Sequence, residues 1–203
     1  MITLRRFQRL LRAVEQAGYD DDTVWSEQLG PPTDAKQFAE AAVYVIVNSG
    51  MKYEVAQGIY MRCLRALHAG NPVRKAFGHP GKAKAIDQIW AHREELFEAF
   101  LFSNDQLEFC ASLPWVGPVT KYHLAKDFGI DVAKPDVHLA RLAIRDRTTV
   151  ARMCARLSRQ SGFRIATIDT ILWRACATGI LNSRAYEVEG WRKAFRGRPS
   201  YED

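Results

Sequence analysis

Residues 104–145, NDQLEFCASLPWVGPVTKYHLAKDFGIDVAKPDVHLARLAIR, decide how the rest of the sequence is interpreted. One helix is predicted to end near Ser112, and after a tight turn a second begins at about Pro118, because proline suits the first helical position. Gly129 is a good C-cap for that second helix. Asp136 then stands at the N-cap of a third helix. The stretch therefore predicts two helices joined by a turn, followed by a carboxylate fixed at a helix start.

The turn between the first two helices is suited to binding a phosphate group. Backbone N–H groups of a glycine-containing turn at a helix N-terminus face an anion together with the positive end of the helix dipole. Gly117 leaves room for a phosphate to approach the backbone, and the hydroxyl of Thr120 adds a contact. The predicted phosphate-binding residues are Leu113, Pro114, Trp115, Val116, Gly117 and Thr120.

Helical periodicity extends outward from this stretch to both ends of the chain, while alternation with a period of two is absent. The first helix is indicated by Leu4, Phe7, Leu10, Leu11 and Val14, and the last ends in the basic segment WRKAFRGR. Other helices are predicted at 34–48, 52–69, about 83–100, 104–112, 149–160 and 164–180, the last two separated by Gly162. The predicted fold class is all-α.

Length and composition are those of an ordinary globular protein. The 203 residues suffice for one compact domain or for two helical lobes that share a cleft. The net charge of +6 suits a polyanionic partner, although many basic proteins never bind nucleic acid. The N-terminal segment lacks the apolar core of a signal peptide, and no apolar run is long enough to span a bilayer. We expect a cytoplasmic protein with no membrane partner.

The cysteines argue against a metal centre. Cys63, Cys110, Cys154 and Cys176 are scattered without a CxxC pair, whereas an iron–sulfur cluster or a structural zinc site needs clustered thiolates. All four lie in apolar helical segments. We expect reduced core residues, no iron–sulfur cluster and no metal ligands among them.

The pattern LPxVGxxT, followed after a helix by a PDVHxxR segment, resembles the signature of the helix-hairpin-helix superfamily of base-excision DNA glycosylases. The resemblance covers roughly residues 37–145, with the hairpin at 104–128 and the catalytic loop at 129–137. It implies that Asp136 is the essential carboxylate. His138 and Arg141 match the histidine and arginine that follow this aspartate in the family.

Two upstream segments are also similar to the family. IVNSGMKYEVAQGIYMRCL resembles the helix–loop–helix that inserts residues into DNA, with Met51 as the wedge, and AFGHPGKAKAI resembles the family's glycine turn and following helix. A plain helix break explains the loop equally well. The DNA-contacting residues that the resemblance implies here are Asn48, Ser49, Gly50, Met51 and Lys52.

Two departures from the family pattern bear on function. Trp115 occupies the place of the usual glycine after the hairpin proline, and either narrows the hairpin or packs beneath it. Val119 occupies the place where bifunctional members have a lysine nucleophile, and valine cannot form a Schiff base. Lys121 lies two positions further along the helix and should point away from that site.

The resemblance therefore implies one glycosylase unit over residues 1–203, organised as two helical lobes around a cleft. Such an enzyme is monofunctional, flips a modified base out of duplex DNA and leaves an abasic site. Asp136 would stabilise the positive charge that develops on the sugar. The hairpin amides would bind phosphate, with or without a monovalent cation, and no obligate protein partner is evident. The substrate is either a damaged base, in repair, or a deliberately modified one such as a hypermodified cytosine in phage DNA, in defence.

Several residues have simpler interpretations. Asp136 can be an ordinary N-cap, and the hairpin can bind phosphate in a non-catalytic DNA-binding module. His138 is as well explained by packing, and Trp90 and Trp173 by the core. Asp169 lines a pocket or belongs to a buried polar pair. The basic residues Arg192, Lys193, Arg196 and Arg198 form a solvated tail or attract phosphate. A helical protein-interaction domain without nucleic-acid affinity is a third possible function.

Overall fold

The computed structural model describes residues 1–196, in which the regular elements are helices, apart from an isolated antiparallel bridge between Leu181 and Phe195. The predicted all-α class is confirmed. Arg198 of the predicted basic cluster lies outside the described residues. Among residues 1–196, no helix combines the length and apolarity needed to cross a membrane.

The helices follow one another with short connections, and a single turn of 3₁₀ helix, Val73–Lys75, stands between the fourth and the fifth. In chain order they are α1 (Leu4–Gln16), α2 (Asp20–Gln28), α3 (Ala35–Asn48), α4 (Tyr53–His68), α5 (Pro80–Ala91), α6 (Arg93–Leu101), α7 (Gln106–Ser112), α8 (Thr120–Asp127), α9 (Val137–Arg145), α10 (Val150–Ser161), α11 (Ile165–Ala177), α12 (Ser183–Glu189) and α13 (Trp191–Ala194).

The chain divides into two compact units. The first unit combines residues 1–29 with the chain from Asp131 onward, and so contains α1, α2 and α9 to α13. The second unit is the continuous segment Gly30–Ile130, with α3 to α8. The predicted hairpin at 104–128 lies in the second unit, and Asp136 lies in the first.

Each unit has its own apolar core. In the first unit, α11 lies at the centre, with Ile168, Ile171 and Leu172 fully buried against apolar residues of α1, α9 and α10. In the second unit, the ring of Phe38 stacks on that of Phe128 at 4.9 Å and contacts Phe100 at 5.7 Å. This aromatic cluster joins α3 and α6 to the end of α8.

The predicted packing residues are mostly where the sequence placed them. Phe7, Leu10 and Val14 of α1 are fully buried, and the four cysteines are buried and free of disulfides, as predicted. Trp90 and Trp173 are only half-buried. Trp173 packs against the core of the first unit, as predicted, and Arg174 stacks over its ring at 4.9 Å. Trp90 lies between the His68 ring at 5.4 Å and the guanidinium of Arg93 at 5.0 Å, so it is not a fully buried core residue.

Some predicted helix boundaries are also wrong. The helix expected at 83–100 is two helices, α5 and α6, which meet at His92 with ψ near 20°. The hairpin's second helix begins at Thr120 and not at Pro118, because the N–H of Tyr122 bonds to the carbonyl of Val119 and tightens the first turn. The final predicted helix is likewise two, α12 and α13, separated by Gly190 at φ 85°. Helix α2 was not predicted.

Candidate functional site

The turn between α7 and α8 is fixed by two buried apolar side chains. Leu113 and Val116 are 3% and 6% exposed, and the N–H of Val116 donates to the carbonyl of Leu113 at 3.1 Å. The N–H of Lys121 donates to the carbonyl of Gly117 at 2.9 Å and begins α8. The apolar residues of the predicted motif therefore anchor the turn, which leaves its polar backbone groups on the surface.

Several of those backbone groups are available to a ligand. Within residues 1–196, the N–H groups of Gly117, Val119 and Thr120 donate to no intramolecular acceptor, and the Thr120 hydroxyl has no hydrogen-bond partner. A β-carbon added to Gly117 would meet nothing within 4 Å, so the space beside this backbone is open. The turn presents three donors and the N-terminus of α8 to solvent, which is the arrangement that binds an oxyanion.

Trp115 adopts a left-handed backbone conformation, which glycine enters far more readily than other residues. Its φ is 66°, in the left-handed region that L-residues rarely enter. Its indole is 48% exposed and lies over Gly81, where an added β-carbon would be 2.8 Å from Cη2 of the ring. The imidazole of His79 meets the indole edge-to-face at 5.1 Å. Two roles were predicted for Trp115, narrowing the hairpin or packing beneath it. The geometry favours packing, because the ring lies against the start of α5.

The predicted DNA-contacting loop is tied to the same helix. Ser49 is the C-cap of α3, Gly50 has φ 72°, and Lys52 is the N-cap of α4, so a helix break is confirmed at 48–52. The ammonium group of Lys82 donates to the carbonyls of Val47 at 3.2 Å and Ser49 at 2.6 Å. Burial lowers the pKa of Lys82. Met51 is half-buried, and its role as a wedge stays a prediction.

The start of α5 thus brings the two predicted DNA-contacting segments together. His79 and Gly81 contact Trp115 of the hairpin, and Lys82 holds the end of α3. These three residues were not among the predicted site residues. The segment AFGHPGKAKAI predicts only a glycine turn and a following helix, and the local signal for this role is a lysine directly after a Pro-Gly pair at the helix start.

Val119 and Lys121 lie at the start of α8, in different surroundings. Val119, the N-cap of α8, is 40% exposed. Lys121 is ion-paired with Glu108 on α7, and the hydrogen bond that its ammonium group donates to this carboxylate raises the pKa of Lys121 above its ordinary value. A lysine held protonated by a carboxylate is a poor amine nucleophile, because only the neutral amine attacks.

In the first unit, Asp136 is the N-cap of α9, as predicted. Its Oδ1 accepts hydrogen bonds from the N–H groups of His138 and Leu139, both at 2.9 Å. Within the described part of the chain, Oδ2 takes part in no hydrogen bond or ion pair. The carboxylate is therefore fixed through one oxygen, and the half-buried side chain retains a second oxygen that can act on a ligand.

The segment that leads to Asp136 is anchored at two points on α11. Asp131 accepts from the N–H of Ala166 at 2.9 Å, and Asp169 accepts from the N–H of Lys134 at 3.0 Å. Asp169 is 2% exposed, so of its two predicted roles it has that of a buried polar residue with a hydrogen-bond partner and not that of a residue lining an open pocket. Sequence reasoning missed Asp131 because its partner lies 35 positions away along the chain.

The other residues predicted beside Asp136 are each paired. The Nδ1 atom of His138 lies 2.9 Å from the Ser183 hydroxyl, and Arg141 lies 3.6 Å from the carboxylate of Glu187. Burial, reinforced by the negative charge of Asp136, raises the pKa of the Cys176 thiol to about 12. Packing on α12 thus explains His138, and Cys176 is a neutral neighbour of Asp136.

Comparisons with known proteins add nothing to this geometry: no family model matches the sequence, and neither the curated proteins nor the solved structures contain a match. In residues 1–196, no group of three or more His, Cys, Asp or Glu side chains is placed to bind a metal ion. The function is therefore inferred from the residues of this chain alone.

Proposed function

We propose that the protein is a monofunctional DNA N-glycosylase, which hydrolyses the bond between a modified base and its sugar and leaves an abasic site. The observation that supports it most is the carboxylate of Asp136. One oxygen is fixed by two backbone N–H groups, while the other has no partner within residues 1–196. Fixed carboxylates with an available oxygen are suited to stabilising a cation that forms during reaction.

The chemistry assigned to Asp136 follows from how an N-glycosidic bond breaks. As the base leaves with the bonding electrons, positive charge develops on the sugar ring, as in other glycosyl transfers. The free Oδ2 of Asp136 stabilises this charge and orients the water that completes the hydrolysis. The anchors at Asp131 and Asp169 restrict the carboxylate, so little reorganisation is needed during the reaction.

The hairpin supplies binding and not chemistry in this proposal. The free N–H groups of Gly117, Val119 and Thr120 bind a phosphate of the DNA backbone, with or without a monovalent cation. The target base leaves the stack to be cleaved, at a cost of a few kcal/mol that backbone contacts help to offset. The loop at 48–52 is assigned to the DNA next to the flipped base.

Strand cleavage is not expected to accompany excision. A lyase step needs an amine that forms a Schiff base with the sugar, and Val119 has none. Lys121, the nearest amine in sequence, is paired with Glu108 and remains protonated. We therefore assign the protein a single activity, base hydrolysis.

A non-catalytic DNA-binding module is the second candidate. It is favoured by the two hydrogen bonds at Asp136, which by themselves account for an aspartate at this position as an N-cap worth about 1 kcal/mol. In this case the hairpin amides bind phosphate, and Oδ2 has no ligand.

The test is an excision assay on duplexes that each carry one modified base, including damaged bases and phage-type modified cytosines. Abasic sites are scored as strand breaks with and without alkali treatment. Asp136→Asn is the matched variant, because asparagine is an equally good N-cap and preserves the fold while removing the charge. Excision by the wild-type protein should fall by about 100-fold or more in this variant.

The outcomes separate the candidates. Alkali-dependent breaks on one substrate, lost in Asp136→Asn, identify the glycosylase and show whether its base is a damaged or a deliberately modified one. Breaks without alkali contradict the exclusion of lyase chemistry. Salt-sensitive DNA binding without excision on any substrate favours the non-catalytic module.

A further inference from the structure

We infer that α1 and α13 together form a second DNA-binding surface, which contacts duplex phosphates away from the reacting base. The inference depends on the proposed DNA substrate but not on the excision chemistry. The surface, called the α1–α13 basic surface below, consists of Arg5, Arg6, Arg9, Arg12, Arg192, Lys193 and Arg196. It joins two basic segments from opposite ends of the sequence.

The basic residues of α1 lie on the side of the helix that faces away from the core. Phe7, Leu10 and Val14 are fully buried, and the helical spacing puts Arg5, Arg9 and Arg12 on the opposite side. The acidic residue of α1, Glu15, lies toward the edge of this face. The exposed side of α1 therefore has three arginines at helical spacing.

Aromatic residues of the segment 191–196 hold part of this row in place. The rings of Trp191 and Phe195 stack at 4.7 Å with an angle of 11°. The guanidinium of Arg6 lies 5.2 Å from the centre of the Trp191 ring, and that of Arg9 lies 4.9 Å from the centre of the Phe195 ring. Cation–π stacking thus places the basic segment of α13 beside that of α1.

Three of the positive charges at this surface have no compensating partner among residues 1–196. Within residues 1–196, Arg12, Arg192 and Arg196 form no side-chain hydrogen bond or ion pair. The nearby carboxylate of Asp146 is fully buried and bonded to the N–H of Ile2 and to the hydroxyl of Tyr186. By sequence, the first unit has 18 Lys and Arg against 13 Asp and Glu, whereas the second has 11 against 10, so nearly all of the surplus charge belongs to the first unit.

The basic surface and Asp136 lie at opposite ends of α9. The terminal ammonium group of Met1 lies 3.3 Å from Asp146, the C-cap of α9, and the guanidinium of Arg145 donates to the carbonyl of Val188, two residues before the α13 N-cap. Asp136 caps the other end, so the nine residues of α9 separate the two by about 14 Å along the helix. The surface therefore binds phosphates that do not belong to the reacting nucleotide.

Phosphates of a nucleic-acid duplex fit this surface better than those of a membrane. A helix that binds a lipid surface must insert its apolar side, and the apolar side of α1 is buried in the core. The Trp191 and Phe195 rings are covered by guanidinium groups in the same way. A row of arginines without an apolar wedge matches the regularly spaced charges of the DNA backbone.

The test compares the wild-type protein with the triple variant Arg12→Gln, Arg192→Gln and Arg196→Gln. Binding to an unmodified duplex of about 30 bp, roughly three helical turns, is measured by fluorescence anisotropy over a range of salt concentrations. The slope of log affinity against log salt should decrease by about 0.9 for each lost contact, hence by about two to three units. The control variant removes three exposed charges from the second unit, Lys36→Gln, Arg65→Gln and Lys75→Gln, and should keep a slope near the wild-type value.

A wild-type slope in the triple variant would overturn the inference, whether or not the protein excises bases. A reduced slope without excision supports this surface and leaves the proposed glycosylase activity refuted. If the triple variant instead loses binding to phosphatidylserine vesicles while its DNA slope is unchanged, the surface belongs to a membrane and the inference fails. Failure of the wild-type protein to bind any duplex overturns both proposals.

Discussion

At the scale of single residues, Trp115 shows how a departure from a sequence pattern is accommodated. A left-handed conformation costs an L-residue about 1–2 kcal/mol, which a glycine at this place would avoid. Contact between the indole and the start of α5 offsets this cost. The sequence showed that Trp115 is unusual, but it did not reveal the partner, because Gly81 lies 34 positions away and nothing local connects the two.

Replacement of Gly81 by alanine should therefore displace Trp115. The added methyl group would overlap the six-membered ring of the indole, with Cη2 at 2.8 Å. Either the ring must move away from residue 81 or the backbone must shift. We expect Gly81→Ala to lower the free energy of unfolding by about 1–3 kcal/mol, as measured by urea denaturation.

Gly78→Ala provides the matched control for this prediction. An added β-carbon at Gly78 meets nothing within 4 Å, and its φ is not left-handed, so this change should be neutral or slightly stabilising. Combining Gly81→Ala with Trp115→Gly should remove most of the overlap. An additive double variant would show that the two residues do not interact.

At the scale of elements, hydrophobic periodicity predicts most of the helices and their order along the chain. It does not predict the residues at which they begin and end. Helix α8 ends as predicted with Gly129 in the left-handed region at φ 77°. The N–H of Ile130 bonds to the carbonyl of Ala125, and that of Gly129 to Lys126, which is the paired arrangement typical of a glycine-terminated helix. Its start at Thr120 depends on a tightened first turn that the proline at 118 did not reveal.

The position of Gly129 is constrained by packing as well as by its backbone. A β-carbon there would lie 2.5 Å from the carbonyl carbon of Gly30 and 2.8 Å from the nitrogen of Pro31. Gly179, which follows α11 in the same way at φ 78°, has nothing within 4 Å. In thermal denaturation, Gly179→Ala should lower the free energy of unfolding by the backbone cost alone, about 1–2 kcal/mol. Gly129→Ala should lower it clearly more, because the added β-carbon also overlaps residues 30–31. Equal losses would mean that the approach of residues 30–31 is readily relaxed.

The candidate site was predictable in part for the same reason. The hairpin residues and the capping role of Asp136 follow from local chemistry, since caps and turns are determined by a few neighbouring residues. The anchors of the segment before Asp136 are long-range, and Asp131 and Asp169 on their own look like ordinary acidic residues. Lys82, which supports the loop at 48–52, was missed because a buried lysine is rare.

At the scale of the whole molecule, buried thiols in both units make stability depend on alkaline pH. Burial raises the pKa of Cys63 to about 11 and that of Cys110 and Cys176 to about 12, from an ordinary value of 9.0. Between pH 9 and these raised values, the thiols of the unfolded chain lose protons that the thiols of the folded chain keep. The free energy of unfolding should therefore fall above about pH 9, by about 1.4 kcal/mol per pH unit for each thiol.

Urea denaturation at pH 7 to 11 measures this slope. The variant Cys110→Ala, Cys176→Ala loses two of the three thiols and should have a shallower decline, even though its stability at pH 7 is lower. An identical decline in the variant would assign the alkaline loss to other groups, such as Tyr60, whose pKa is raised in the same direction.

The division into two units follows no long linker, since the first boundary is marked in the sequence only by Gly30, Pro31 and Pro32 and the second by Gly129. Its consequence concerns synthesis on the ribosome. The segment Gly30–Ile130 is complete as soon as it has emerged, whereas α1 and α2 are made first and cannot acquire their partners until α9 to α11 have been translated. Helices α1 and α2 thus remain without these partners while the second unit is translated, and the side chains of Phe7, Leu10 and Val14 are exposed to chaperones and proteases in the meantime.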